Sequence, residues 1–270
     1  MIDLEVAYIK QLDLVITGYR GYVGSNLLSS VNKKVEIIKL ISLHNKDIKK
    51  VIQLAAKVGD SVSTISNNIQ LDTYVIEFCE KNNCQLIYAS SNNVYPYAKD
   101  CKDIYQLHEA DFYGASKIFT EQILEYNTSI KYVSLRIGDV FGKNQKHGNF
   151  FKNIQSSIID KKDLSLYGRG LKVRNYIFID DLVNVLKFFI KNNISNNETF
   201  NIAYQEPVSI FQIVNYISHS TAIPIKKIEY DISKELTDFR TLKFTLPQGF
   251  NFNYDIWSAL NRYVLSMKDK

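Results

Sequence analysis

Short β-branched apolar runs alternate with amphipathic stretches along the first half of this chain. Residues 14–17 (LVIT) stay apolar up to the turn at Gly18 and predict a buried strand. From Gly21 the spacing turns helical through Leu27 and Leu28 and stops near Asn32. Residues 35–41 (VEIIKLI) and 51–56 (VIQLAA) predict a second and a third strand. Residues 68–81 follow with helical spacing at Leu71, Val75 and Phe78. A strand over 85–90, a helix over 113–126 and a strand over 131–137 continue the series. Repeated strand–helix–strand units predict the α/β class, with a doubly wound parallel sheet that binds ligands at the carboxyl ends of its strands. The second half is less regular. It predicts helices over 181–190, after Ser209 and from about Tyr254, and a short strand over 200–203.

The turn after the first strand carries chemistry. Residues 17–24 (TGYRGYVG) read Gly-x-x-Gly-x-x-Gly between a strand and a helix. Gly18 allows the tight turn, Gly21 lets the backbone approach a pyrophosphate, and Gly24 lets the helix pack on the strand. The free amides and dipole of the helix start then favour phosphate. This is a Rossmann-type cofactor loop, made of Gly18, Tyr19, Arg20, Gly21, Tyr22, Val23 and Gly24. An arginine suits the extra 2′-phosphate of NADP. NAD sites place an acid at the end of the second strand, and residues 35–41 end without one. Both points lean to NADP as the preferred cofactor, with NAD as the alternative.

Further on, Tyr113 and Lys117 stand four residues apart, on one helix face. A neighbouring ammonium favours a phenolate, so this tyrosine can exchange a proton at a carbonyl or hydroxyl carbon. The spacing alone is common in a chain with 18 tyrosines. Ser90 and Ser91, at the end of the 85–90 strand, supply a hydroxyl for the reacting oxygen. Glycine loop, strand-end serine and Tyr-x-x-x-Lys occur in that order on the predicted sheet.

Composition narrows the classes. The 270 residues carry a net charge of +5, a mild excess without the basic stripe that nucleic-acid binding needs. Cys79, Cys84 and Cys101 form no Cys-x-x-Cys pair and the four histidines are scattered, so no metal site is expected. No signal peptide or membrane span is visible, and the expected location is cytoplasmic, without membrane contact.

On these motifs the chain resembles the extended short-chain dehydrogenases/reductases of the nucleotide-sugar epimerase/dehydratase/reductase group. TGYRGYVGSNL, VIQLAA, YASSNNVYP, FYGASKIFTEQIL, LRIGDVFG, VRNYIFIDDLV and FNIA are similar to successive family segments. GYRGYVGS, LAAKVG and SSNNVYP are locally similar to the GDP-fucose synthase branch, in which Arg20 corresponds to a phosphate-binding arginine. The resemblance implies a catalytic triad of Ser91, Tyr113 and Lys117. Ser91 is chosen because the family serine sits four positions before the tyrosine aligned with Tyr95. Leu54, Ala55, Ala56, Tyr113 and Lys117 join the cofactor contacts, with Lys117 on the ribose, and Ser91, Asn92, Asn93, Asp139, His147 and Arg174 the substrate contacts. Arg174 becomes a clamp on a nucleotide diphosphate. His147 falls roughly where that branch keeps an epimerising histidine, and a lone loop histidine is also commonly incidental.

Departures from the family sharpen the picture. Gln53 replaces a histidine, and the stretch between Gly24 and Gln53 is short, as if one strand–helix unit were trimmed. Sugar dehydratases place acids after the catalytic serine or threonine, but Asn92 and Asn93 cannot exchange protons at neutral pH. Residues 12–142 are read as the dinucleotide-binding domain, rejoined at about 176–203. Residues 143–175 and 204–270 form a smaller C-terminal substrate lobe. The function expected first is NAD(P)-dependent reduction of a C4 keto group on a nucleotide-activated 6-deoxy sugar. A NAD-dependent nucleotide-sugar 4-epimerase is the alternative, and a non-catalytic dinucleotide-binding regulator the rival from another class. A homodimer is expected, through helices 68–81 and 113–126, with Phe119, Ile123 and Tyr126 facing either the partner or the protein's own sheet.

Overall fold

The computed structural model describes residues 4–43, 46–95, 111–126, 129–143, 145, 150–231, 239–241 and 245–268. Cys101 and His147 lie outside the described residues. The chain begins with β1 (Glu5–Ile9), β2 (Leu14–Ile16), α1 (Tyr22–Ser30), β3 (Glu36–Lys39) and β4 (Lys50–Gln53). It continues with α2 (Val62–Asn82), β5 (Gln85–Ser91), α3 (Phe112–Tyr126), β6 (Tyr132–Ile137), β7 (Asp139–Phe141) and α4 (Phe150–Asp160). Then come β8 (Leu164–Tyr167), β9 (Val173–Arg174), β10 (Tyr176–Phe178), α5 (Ile179–Lys191) and β11 (Glu198–Ile202). Last are β12 (Val208–Ser209), α6 (Ile210–Thr221), β13 (Ile225–Ile228), β14 (Phe239–Arg240) and α7 (Ile256–Lys268).

The expected α/β sheet is present, in the order β11-β6-β5-β4-β2-β1-β3. Strands β2, β4, β5, β6 and β11 run parallel. Alternation along the strands sorts the core onto two faces. Leu14, Ile16, Ile52 and Ile87 pack on one face with Leu27 of α1 and Val185 of α5. Val15, Val51 and Leu86 pack on the other with Val75 and Phe78 of α2 and Leu124 of α3. One lysine is built into this frame. Lys50 is buried at the start of β4, and its ammonium donates to Phe189 O (3.0 Å), Ile190 O (2.8 Å) and Asn192 O (2.6 Å) at the end of α5. Burial pushes its pKa down, while the orphan carbonyls of the helix end hold the charged form.

The structure corrects the sequence reading at the amino end. Residues 5–9 are a strand, so a boundary at residue 12 cuts the sheet. Strand β1 lies antiparallel between β2 and β3, pairing Ala7 with Ile16 on one side and Glu5 with Lys39 on the other. The strand after the glycine loop's helix is therefore not the glycine strand's neighbour. Between β3 and β4 the described residues form a 3-10 turn at Leu40–Leu43 and no α-helix, in keeping with the short stretch noted in the sequence. Helix α4 was not anticipated; it buries Phe151 and Ile154.

Candidate active site

A cleft of about 300 Å³ opens at the carboxyl ends of β4, β5 and β6, in the lower size range of small-ligand sites. Val23 of the glycine loop, Leu54 and Ala56 after β4, Ser90 to Asn93 after β5, Tyr113 of α3, and Ile137 to Val140 line it. Three separate stretches read from sequence as cofactor, serine and tyrosine motifs thus share one wall.

The glycine loop has the required shape. Gly18 has φ +61°, and a Cβ there would lie 2.6 Å from Ala55 N, so only glycine fits where the loop meets the end of β4. Gly21 is the N-cap of α1, without a capping side chain, and the first turn holds no acid. The leading amides are left for an anion. Tyr19 and Tyr22 turn their rings into the core and bury their hydroxyls, so they offer a ligand only backbone. Burial, with Asp180 nearby, pushes the Tyr22 pKa up. Arg20 pairs with Glu5 of β1 (Nη2–Oε2 3.1 Å), and its guanidinium lies 5.2 Å from the Tyr19 ring centre.

Ser91 ends β5. Its hydroxyl accepts from Asn93 N at 3.1 Å and donates to Asn92 Oδ1 at 3.3 Å. Beside it, the buried Ser90 Oγ has no hydrogen-bond partner among the described residues. Tyr113 stands in the first turn of α3, which Asp111 starts by accepting from Gly114 N through its side chain. Asp111 also accepts from Asn93 Nδ2 at 2.8 Å, tying the helix start to the serine loop. Gly114 is forced by that approach, since a Cβ would lie 2.2 Å from Asn93 O. One turn on, Lys117 is 1% exposed, with Nζ 5.8 Å from the Tyr113 ring centre and 4.5 Å from that of Tyr88.

Under Lys117 lies a buried carboxylate that sequence reading missed. Asp72 of α2 has Oδ2 3.9 Å from Lys117 Nζ. The same oxygen accepts from Tyr88 OH (2.7 Å) and Thr120 Oγ1 (3.0 Å), while Oδ1 accepts from Gln53 Nε2 (2.6 Å). Gln53 in turn accepts from the hydroxyl of Thr17 at the end of β2. Thr17 Oγ1 accepts from Leu54 N (3.0 Å) and Ala55 N (3.1 Å). Gln53 is therefore a polar link from the glycine strand to the lysine. Burial raises the Tyr88 pKa, and Asp72 adds to the effect, which keeps that hydroxyl a donor.

At the far wall, Asp139 accepts from Asn92 Nδ2 at 3.1 Å and lies 4.0 Å from Arg174 Nε. Arg174 is buried, donates to Val173 O at 2.8 Å, and touches the cleft through Asp139. Its cross-strand partner on β14 is Arg240, also unanticipated, which donates to Asn93 Oδ1 at 2.7 Å. Among the described residues no cluster of three or more His, Cys, Asp or Glu could hold a metal. No described helix is long and apolar enough to cross a membrane.

Comparison with known proteins gives the family and the fold. Residues 42–203, more than half of the chain, match the NAD dependent epimerase/dehydratase family. An N-acetyl-alpha-D-glucosaminyl-diphospho-ditrans,octacis-undecaprenol 4-epimerase of Escherichia coli O157:H7 is 27% identical over 195 residues, covering 67% of this chain and 58% of that protein. The solved structure of MoeE5 with UDP-glucose and NAD superposes with a TM-score of 0.77, at 19% identity over 95% of this chain and 98% of that one. UDP-N-acetylglucosamine 4-epimerase from Bacillus cereus gives a TM-score of 0.75, at 19% identity over 94% and 96%. At such identities the superpositions establish the fold. The chain spans between 50% and 74% of the length of the curated relatives it matches.

Proposed function

The chain belongs to the NAD dependent epimerase/dehydratase family, within the extended short-chain oxidoreductases, and from that premise we propose that it is a nucleotide-sugar 4-epimerase. The observation that carries this reading is one cleft lined by Val23, Ser91 and Tyr113, with Lys117 Nζ 5.8 Å from the tyrosine ring. A dinucleotide fits the residues present. The uncapped start of α1 and the backbone cradle at Gly18 suit its pyrophosphate, and Leu54 and Ala56 offer an apolar wall. When bound, NAD supplies reversible hydride exchange with the sugar carbon.

The chain's own residues handle the proton. Tyr113, as phenolate, takes the proton of the C4 hydroxyl while the sugar becomes its 4-keto form. It returns that proton once the keto sugar presents its other face. Lys117 sets its ammonium beside the Tyr113 ring, and Asp72 fixes where that ammonium sits. Ser91 donates to the C4 oxygen, and the unsatisfied Ser90 hydroxyl is a second polar group for substrate. Asn92 and Asn93 are oriented by hydrogen bonds with Asp139, Asp111 and Arg240, and neither amide can exchange the protons that dehydration needs. Arg174 and Arg240 stand next to each other for the diphosphate. The chain pairs as a homodimer through α2 and α3, whose Phe119 and Tyr126 are exposed while Ile123 packs inward.

Ketoreduction leaned on Arg20 as an NADP ligand. With Arg20 paired to Glu5, the redox-neutral reaction takes first place. A panel of UDP-, dTDP-, GDP- and ADP-linked hexoses tests this. The expected result is one C4-epimer pair reaching the same mixture from either side, with no net change in nicotinamide absorbance. Stoichiometric consumption of reduced cofactor by a 4-keto sugar would instead establish the reductase.

A further inference from the structure

Because β1 runs antiparallel to β2, its first residue lies at the carboxyl edge of the sheet, beside the glycine loop. The register that pairs Ala7 with Ile16 sets Glu5 level with Gly18. Side chains alternate along a strand, so Glu5 points to the side of Ala7 and Ile9, which pack on the α1 face. The salt bridge to Arg20 fixes the carboxylate at the loop, and 41% of the side chain remains exposed to a ligand. Strand β3, where sequence reading sought a ribose-binding acid, is one strand further out, about 10 Å from the glycine strand.

Resting on the dinucleotide reading above, we propose that Glu5 reads the adenosine ribose and selects NAD against NADP. An ionised carboxylate only accepts hydrogen bonds, and the 2′- and 3′-hydroxyls of NAD offer two donors. The 2′-phosphate of NADP removes one donor and sets a second anion beside the first. Arg20 would attract that phosphate, but Glu5 already holds its guanidinium. The strand inserted at the amino end thus supplies from outside the usual strand–helix unit the group that the trimmed unit lacks.

Calorimetric titration of the full chain, stripped of co-purified nucleotide, with NAD and with NADP tests the assignment. The wild type is expected to bind NAD at least about tenfold more tightly, the worth of one hydrogen bond to a charged group. Glu5→Gln keeps the strand's size. It should weaken NAD about tenfold and tighten NADP, and adding Arg20→Ala should remove the NADP gain. Equal binding of both, a preference for NADP, or an unchanged ratio in Glu5→Gln overturns the role of Glu5 and leaves the dinucleotide site standing. Failure of the wild type to bind either dinucleotide overturns that site, and this inference with it.

Discussion

Lys117 and Asp72, beneath the catalytic end of the cleft, each keep 2% of their side chains exposed, whereas Arg20 and Glu5, at the glycine-loop end, keep 75% and 41%. The same pair of charge types is used in two ways. Buried, the cation and carboxylate are costly unless each is fully partnered, and Tyr88, Thr120 and Gln53 supply the partners for Asp72. Exposed, a pair contributes about 0–1 kcal/mol and can be rewritten without loss of fold. The Lys117–Asp72 end is therefore locked by core packing, while the Arg20–Glu5 end lies open at the glycine loop. Chemistry and cofactor choice can change independently in such a molecule.

The largest expected effect comes from the catalytic end. Tyr113→Phe removes the proposed proton carrier and should cut turnover at least about 100-fold, with melting temperature unchanged. Initial rates on the identified sugar pair measure it. Undiminished turnover would return the chain to a purely binding role. Asp72→Asn should come next, because the amide leaves the Lys117 cation without its counter-charge and keeps one acceptor oxygen where two served. We expect kcat about tenfold lower at unchanged KM, with a stability loss of about 2 kcal/mol by chemical denaturation. A stability loss with normal kcat would make Asp72 structural and erase its contrast with Glu5.

At the other end the order reverses. Glu5→Gln should shift dinucleotide preference about tenfold yet change unfolding free energy by less than about 0.5 kcal/mol. A second buried carboxylate sets the baseline. Asp181 accepts from Asn253 N (2.9 Å), Tyr254 N (3.2 Å) and Tyr204 OH (2.8 Å), none of them a charged donor. Burial pushes its pKa up, against those hydrogen bonds. The native state then holds the proton more tightly than the unfolded chain. This stabilising contribution is complete below the ordinary carboxylate value and is lost as pH rises through the folded one. Asp181→Asn cannot titrate. The melting-temperature advantage of the wild type should be greatest at acid pH and shrink towards neutrality, with kcat unaffected.

The parts legible in sequence were local. A tight turn between strand and helix needs glycines, and spacing four puts Tyr113 and Lys117 on one helix face, so these are legible locally, whereas Ser91 is singled out from Ser90 by the family resemblance. The helices and parallel strands followed from apolar periodicity for the same reason. Strand β1 was missed because EVAYI says nothing of where it pairs, and its insertion beside β2 is a matter of topology. That one strand moves the candidate for the ribose-binding acid from β3, where none stands, to Glu5 of the proposal above. Asp72 was overlooked on a helix read through Leu71, Val75 and Phe78. The buried stripe instead includes Asn68, Asp72, Val75 and Cys79, and two polar residues at that spacing were the available signal. Arg240 meets Asn93 across 147 positions, and no local pattern marks such a contact.

The central claim, C4 epimerisation through Tyr113, is tested most directly by proton magnetic resonance in deuterium oxide. The protein, NAD and the nucleotide sugar selected from the panel are followed to equilibrium. The account predicts interconversion of the two C4 epimers with the C4 hydrogen retained, since the hydride returns to the carbon it left, and an approach to equilibrium at least about 100-fold slower with Tyr113→Phe. Deuterium appearing at C4, or epimerisation undiminished in Tyr113→Phe, would contradict it.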